Sequence, residues 1–141
     1  MYRTSDNHSI KVQALSALAA TKDLELANRL LDYSLSGEVR NQDIFYAIPT
    51  ETTQTTEISW KYFQERREEY ATKLSNYLFG AMVGSVTGFS TFEKAAEVEK
   101  YFKENPVAQE RSVSKALEGI RNRARWLTRD NEDVKQFFSS Q

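Results

Sequence analysis

A chain of 141 residues with 40% hydrophobic and 28% charged residues holds enough apolar material for one packed domain and too much for a disordered tail. Its formal net charge of −1 lacks the basic excess of a phosphate-tracking protein, so no nucleic acid is expected as the main partner. With no cysteine and one histidine, His8, disulfides, thiolate metal sites and a thiol nucleophile are excluded, and a histidine zinc site lacks its second imidazole.

Residues 1–10 are polar throughout and do not read as a signal peptide. The most apolar stretch, Leu78 to Val86, is far shorter than the ~20 residues a membrane span needs. The expectation is therefore a soluble, cytoplasmic chain with no membrane partner. Two prolines and five glycines in the whole sequence suit helices with short joints.

A first helix is predicted over Asn7 to Ala20, with Ile10, Ala14, Ala17 and Leu18 as its apolar stripe. A second follows Asp23, faces inward with Leu24, Ala27, Leu31 and Leu35, and ends at Gly37, forming an antiparallel hairpin with the first. A short helix then starts with Asn41 as N-cap and stops at Pro49. The polar, threonine-rich Thr50 to Thr56 reads as a loop. The next helix runs from Glu57 to Tyr70 with Ile58, Tyr62 and Phe63 inward.

Ala71 to Thr87 reads as a helix apolar nearly all round and buried between neighbours. Gly80, Gly84 and Gly88 recur every four residues and suggest a strip for close helix approach. Ser90-Thr91-Phe92-Glu93 has the form of a capping box, opening a helix with Phe92, Ala95, Val98 and Phe102 inward. The longest helix, Ala108 to Thr128, carries the seam Val113, Leu117, Ile120, Ala124 and Leu127, with Trp126 packed. Asp130 is expected to cap a last helix that buries Val134, Phe137 and Phe138. The outcome is a single all-α domain over residues 1–141, about eight helices in antiparallel hairpins, compatible with a degenerate α-solenoid.

No H-E-x-x-H, G-x-S-x-G or phosphate-cradling glycine loop occurs. Carboxylate pairs such as Glu68/Glu69 and Asp130/Asp133 stand among basic neighbours and read as caps and surface ion pairs. Arg121, Arg125 and Arg129 fall on one helical stripe. Pairing with carboxylates such as Glu97 or Glu132 is the default reading, an anion-binding groove the alternative. Arg40, Gln42 and Asp43 cluster at a helix joint, read first as a network fixing that joint and second as a polar patch on the concave face. His8 reads as an exposed side chain near a cap.

Four segments resemble the C-terminal helical domain of zinc aminopeptidases of the puromycin-sensitive and aminopeptidase N type. GEVRNQDIFYAI (Gly37 to Ile48) has the V-R-x-Q-D joint, and ISWKYFQERREEY (Ile58 to Tyr70) the tryptophan-to-tyrosine helix. GFSTFEKAAEVEKYFKENP (Gly88 to Pro106) has the G-F-x-T/S opening and the proline turn. RSVSKALEGIRNRARWLTRDNEDVKQFF (Arg111 to Phe138) is similar to the closing helix pair.

The resemblance implies HEAT- or armadillo-like hairpins that wall the substrate cavity of a larger enzyme and help select and orient peptides, and it makes Arg40, Gln42 and Asp43 candidates for substrate contact. It places zinc, and every catalytic residue, in a catalytic domain this chain lacks, and makes that domain and peptide substrates the partners. On that basis the chain reads as a C-terminal fragment with no cofactor of its own. A free-standing scaffold binding a protein or peptide is the alternative. An exposed apolar face, and self-association through it, are expected at the first hairpin.

Overall fold

The computed structural model describes residues 8–139, and the described residues contain helices and no strand. They form α1 (His8–Ala19), α2 (Leu24–Ser34), a 3-10 helix (Asn41–Ala47), α3 (Thr53–Lys73), α4 (Asn76–Val86), α5 (Phe92–Glu104) and α6 (Glu110–Ser139). The all-α expectation holds, with one helix fewer than expected. The chain divides into two compact units, residues 1–86 and 87–141.

In the first unit α2 packs on α3, α1 on the 3-10 helix, and α3 on α4. Asp23 starts α2, its Oδ1 accepting from the amides of Glu25 (2.9 Å) and Leu26 (3.1 Å). Past its end, Gly37 takes φ 93°, a conformation closed to most side chains. In α1 the stripe is displaced from expectation. Ala14 and Leu15 are buried, while Ile10, Ala17 and Leu18 are exposed, so the helix turns a different face inward. In α2, Ala27, Leu30 and Leu31 are buried and Leu24 is exposed.

The Thr50 to Thr56 stretch is not simply a loop. Thr52 and Thr55 form a reciprocal cap, Thr55 N–H donating to Thr52 Oγ1 (3.1 Å) and Thr52 N–H to Thr55 Oγ1 (2.9 Å). The threonines serve as caps rather than interior residues, where β-branching would cost them, and α3 starts at Thr53 rather than Glu57. Ser59 donates to Pro49 O, tying α3 to the chain before it. The helix departs from helical geometry at Arg66 (φ −117°, ψ 21°) and continues to Lys73.

Its inward face carries Trp60, Phe63 and Tyr70, and Phe63 lies between Trp60 (6.0 Å), Tyr70 (6.3 Å) and Phe79 of α4 (5.7 Å). The Tyr70 hydroxyl is buried with no hydrogen-bond partner. Ser34 faces it, its own hydroxyl donating to Leu31 O (2.6 Å). Tyr70→Phe should therefore leave stability unchanged or raise it by up to about 1 kcal/mol in urea unfolding, because it removes an unpaired buried group. A loss larger than that would show the hydroxyl to be bonded.

Helix α4 is buried on one face, not all round. Phe79, Met82, Val83 and Val86 are buried, Tyr77 is 83% exposed, and nothing lies within 4 Å of where a Cβ at Gly84 would sit. The expected glycine strip is thus open at Gly84, which is exposed along with Gly88.

In the second unit α5 packs on α6. The cap of α5 is Thr91, one residue later than Ser90, its Oγ1 accepting from Lys94 N–H (3.2 Å). Ala95, Val98 and Phe102 are buried with Leu117, Ile120 and Ala124 of α6, but Phe92 is half exposed. Arg123 donates from Nε to Phe89 O (2.9 Å), and its guanidinium lies 3.2 Å from a Cβ position at Gly119, which leaves it room.

Asp130 does not cap a new helix. Neither glycine nor proline interrupts residues 120–139, and the three-and-four alternation passes through Leu127 to Val134 in phase, so α6 is continuous. Its distal half is uncovered: Trp126 is 65%, Leu127 51%, Val134 53% and Phe137 59% exposed. The expected burial of Val134 and Phe137 and the packing of Trp126 are therefore overturned, since helical periodicity marks a stripe without supplying its cover. The His8 and Phe138 side chains lie outside what is described.

Candidate functional site

The joint between α2 and α3 brings Arg40 and Asp43 together. Arg40 precedes the 3-10 helix with φ −60° and ψ 143° and makes no side-chain cap, so the cap expected of Asn41 is not formed. Asp43 N–H donates to Arg40 O (2.8 Å), and Arg40 Nε returns a charge-assisted bond to Asp43 Oδ2 (3.2 Å). The Asp43 carboxylate is 1% exposed, the Arg40 side chain 50%. Gln42 points to solvent. The residues thus differ in setting: Asp43 is sealed against the turn, Arg40 is half exposed, and Gln42 is exposed.

The arginine stripe on α6 is partly neutralised. Arg121 pairs with Glu99 of α5, not with the expected Glu97 or Glu132; Glu97 pairs instead with Lys94 (3.2 Å). Glu99 also accepts from Lys103 (3.0 Å), and Lys103 first, then Arg121, hold its carboxyl below the ordinary range. Arg125 donates to Asn122 Oδ1 (3.0 Å). Arg129 is exposed. Of the three, Arg125 and Arg129 keep a charge not spent on a carboxylate among the described residues.

A polar cluster between α2 and α3 escaped the sequence reading, because its members are far apart in the chain. Tyr62 donates to Asp32 Oδ1 (2.9 Å), Arg66 lies 5.5 Å from the Tyr62 ring centre, and Arg66 also pairs with Glu69 (2.9 Å). Burial first, then the bond to Asp32, push the Tyr62 phenol up from 10.0 to about 12. The folded chain thus keeps a proton that the unfolded chain releases near pH 10. The stabilisation is whole below pH 10 and fades as pH rises towards about 12. Tyr62→Phe should reduce the stability lost across that window, as followed by unfolding at stepped alkaline pH. An unchanged profile would refute the assignment.

Two apolar hollows lie among the described residues. A groove of about 390 Å³ on the α1–α2 hairpin is lined by Leu18, Leu26, Arg29, Leu30 and Tyr33. Another of about 360 Å³ has Phe102, Pro106, Val107, Val113 and Leu117 as its apolar lining. The second is also lined by Glu99, Lys103, Glu110 and Ser114.

Among the described residues no three His, Cys, Asp or Glu side chains converge on a point where a metal could sit. With one histidine and no cysteine in the sequence, the residues present do not fit a zinc ion. No helix among the described residues is long and apolar enough to cross a membrane.

The geometry defines a helical domain that offers surfaces. Residues 1–122 match the model of the ERAP1-like C-terminal domain, and the chain belongs to that family. It is 32% identical over 130 residues to Aminopeptidase M1 of Arabidopsis thaliana, covering 90% of this chain and 15% of that protein. It is 30% identical to Alanine/arginine aminopeptidase of Saccharomyces cerevisiae, over 98% of this chain and 17% of that protein. With Endoplasmic reticulum aminopeptidase 1 of Mus musculus it shares 26% identity, over 99% of this chain and 16% of that protein. The chain thus spans about one sixth of the length of these relatives.

Proposed function

We propose that the chain serves as the non-catalytic C-terminal domain of a zinc-dependent aminopeptidase, walling the substrate cavity and helping to select and orient peptides. One observation carries this reading: nearly the whole chain aligns with a small part of several proteins named as aminopeptidases.

In this reading α-hairpins stack in a HEAT- or armadillo-like manner against the catalytic domain, which holds the zinc. The exposed Arg40 guanidinium and Gln42 amide face the cavity and contact peptide, with Asp43 holding Arg40 in place. Arg125 and Arg129 offer a second place for an anionic group, with Arg121 behind them on Glu99. The compartment proposed is the cytoplasm.

Sequencing the complete transcript tests the assignment. An in-frame H-E-x-x-H upstream is expected, and a stop codon directly before Met1 would oppose it. The uncovered apolar faces of α1, α2 and α6 favour a second reading, a free-standing helical scaffold for a protein or peptide partner, which that same stop codon would support.

A further inference from the structure

Helix α3 holds both ends of the segment that carries Arg40, Gln42 and Asp43. At the front, α2 ends at its C-cap Leu35, among the carbonyls that have no partner within a helix. Lys73, in the last turn of α3, donates from Nζ to Leu35 O (3.1 Å). An ammonium at that point also meets the negative end of the α2 dipole. At the back, the buried Ser59 hydroxyl of α3 donates to Pro49 O. One residue further on, Thr56 donates to Thr50 O (3.4 Å).

Between these anchors the chain turns at Gly37 and enters the 3-10 helix, where Asp43 is sealed while Arg40 and Gln42 reach the surface. Buried Val39 and Ile44 press the segment on the core, but apolar contact has no direction. The hydrogen bonds at its two ends fix where it lies.

Both anchors belong to one helix, separated by about 21 Å at the usual rise per residue. That helix bends between them, at Arg66. The Arg66 guanidinium lies 5.5 Å from the Tyr62 ring centre on one side of the bend and pairs with Glu69 (2.9 Å) on the other. Tyr62 in turn donates to Asp32 near the end of α2 (2.9 Å). The bend thus sets the direction of the Lys73 end relative to the Ser59 end.

We propose that Lys73 is a positioning residue for peptide contact. With Ser59 it fixes the frame in which Arg40 and Gln42 are presented, and the braced bend at Arg66 sets the span of that frame. The inference rests on the reading that Arg40 and Gln42 meet the peptide. Lys73 acts through the joint and touches no substrate.

Steady-state kinetics of the full-length enzyme test the role. Lys73→Met keeps the stem and removes the donor. It should raise KM for a peptide substrate at least about threefold with kcat nearly unchanged, the pattern of lost ground-state binding. Lys73→Arg still carries a donor to Leu35 O and should restore KM. A role in stability alone would lower the amount of active enzyme and leave KM where it was. In the 141-residue chain, Lys73→Met should move the backbone amide resonances of residues 36–42 and leave those of Trp60 and Phe63 in place.

Gln42→Ala, measured alongside, separates two failures. A peptide KM raised by Gln42→Ala and untouched by Lys73→Met would overturn the positioning role and leave the proposed function standing. A KM that Lys73→Arg does not restore, or amide resonances of residues 36–42 that stay in place, would overturn the positioning role as well. A KM untouched by Gln42→Ala would overturn the reading of the joint, and this inference with it, whatever Lys73→Met does.

Discussion

Phe63→Ala should cost the chain about 3–5 kcal/mol, the range for emptying a buried aromatic site that cannot collapse. Phe63 has no exposed surface and its ring meets those of Trp60, Tyr70 and Phe79, so three neighbours lose packing at once. Two of those rings come from α3 itself and one from α4, and the hole would loosen the contact between the two helices. Urea unfolding followed by circular dichroism should show the loss, with a fall in melting temperature of about 10 °C or more. A cost below about 1 kcal/mol would mean the site refills and the aromatic cluster is not the centre of this unit.

Asp43→Ala should cost less, about 1–3 kcal/mol, and for a different reason. The carboxylate is sealed in the turn, and removing it strips Arg40 of an acceptor. Gln42→Ala next door should stay within about 0.5 kcal/mol, because the amide faces solvent. The contrast separates structure from recognition within one cluster. Under the proposed function, Gln42 should act through peptide affinity without touching stability. Equal losses at both positions in unfolding experiments would show that Gln42 also holds the turn.

Local rules with a complete set of partners in the sequence were readable in advance. Asp23 before Leu24, Gly37 after α2, and the Leu117, Ile120, Ala124 seam each rest on residues a few positions apart, and each is found. Caps chosen among competing hydroxyls were less legible. Ser90 and Thr91 both precede a helix, and geometry gives the position to Thr91. The threonine run hides a cap because composition reads as loop, whereas Thr52 and Thr55 need only each other.

Cover was the least legible feature. The stripe through Leu127 and Val134 has the same period as the stripe through Leu117 and Ile120. One is buried and the other is not, and periodicity does not distinguish them. The candidate site divides along the same line. The proximity of Arg40 to Asp43 follows from a spacing of three, whereas the link from Asp32 to Tyr62 spans 30 residues and follows only from the fold. The pairing of Arg121 needed the register of α5 on α6, which selects Glu99 over Glu97.

The proposed function implies a division of labour: this polypeptide would supply surface, and bond cleavage would belong to another part of a longer enzyme. Purified 141-residue chain, incubated with added zinc and an aminoacyl-arylamide, measures that division. The expected result is release no faster than the protein-free blank and no stoichiometric zinc retained after dialysis. Saturable, zinc-dependent release by the pure chain would contradict it.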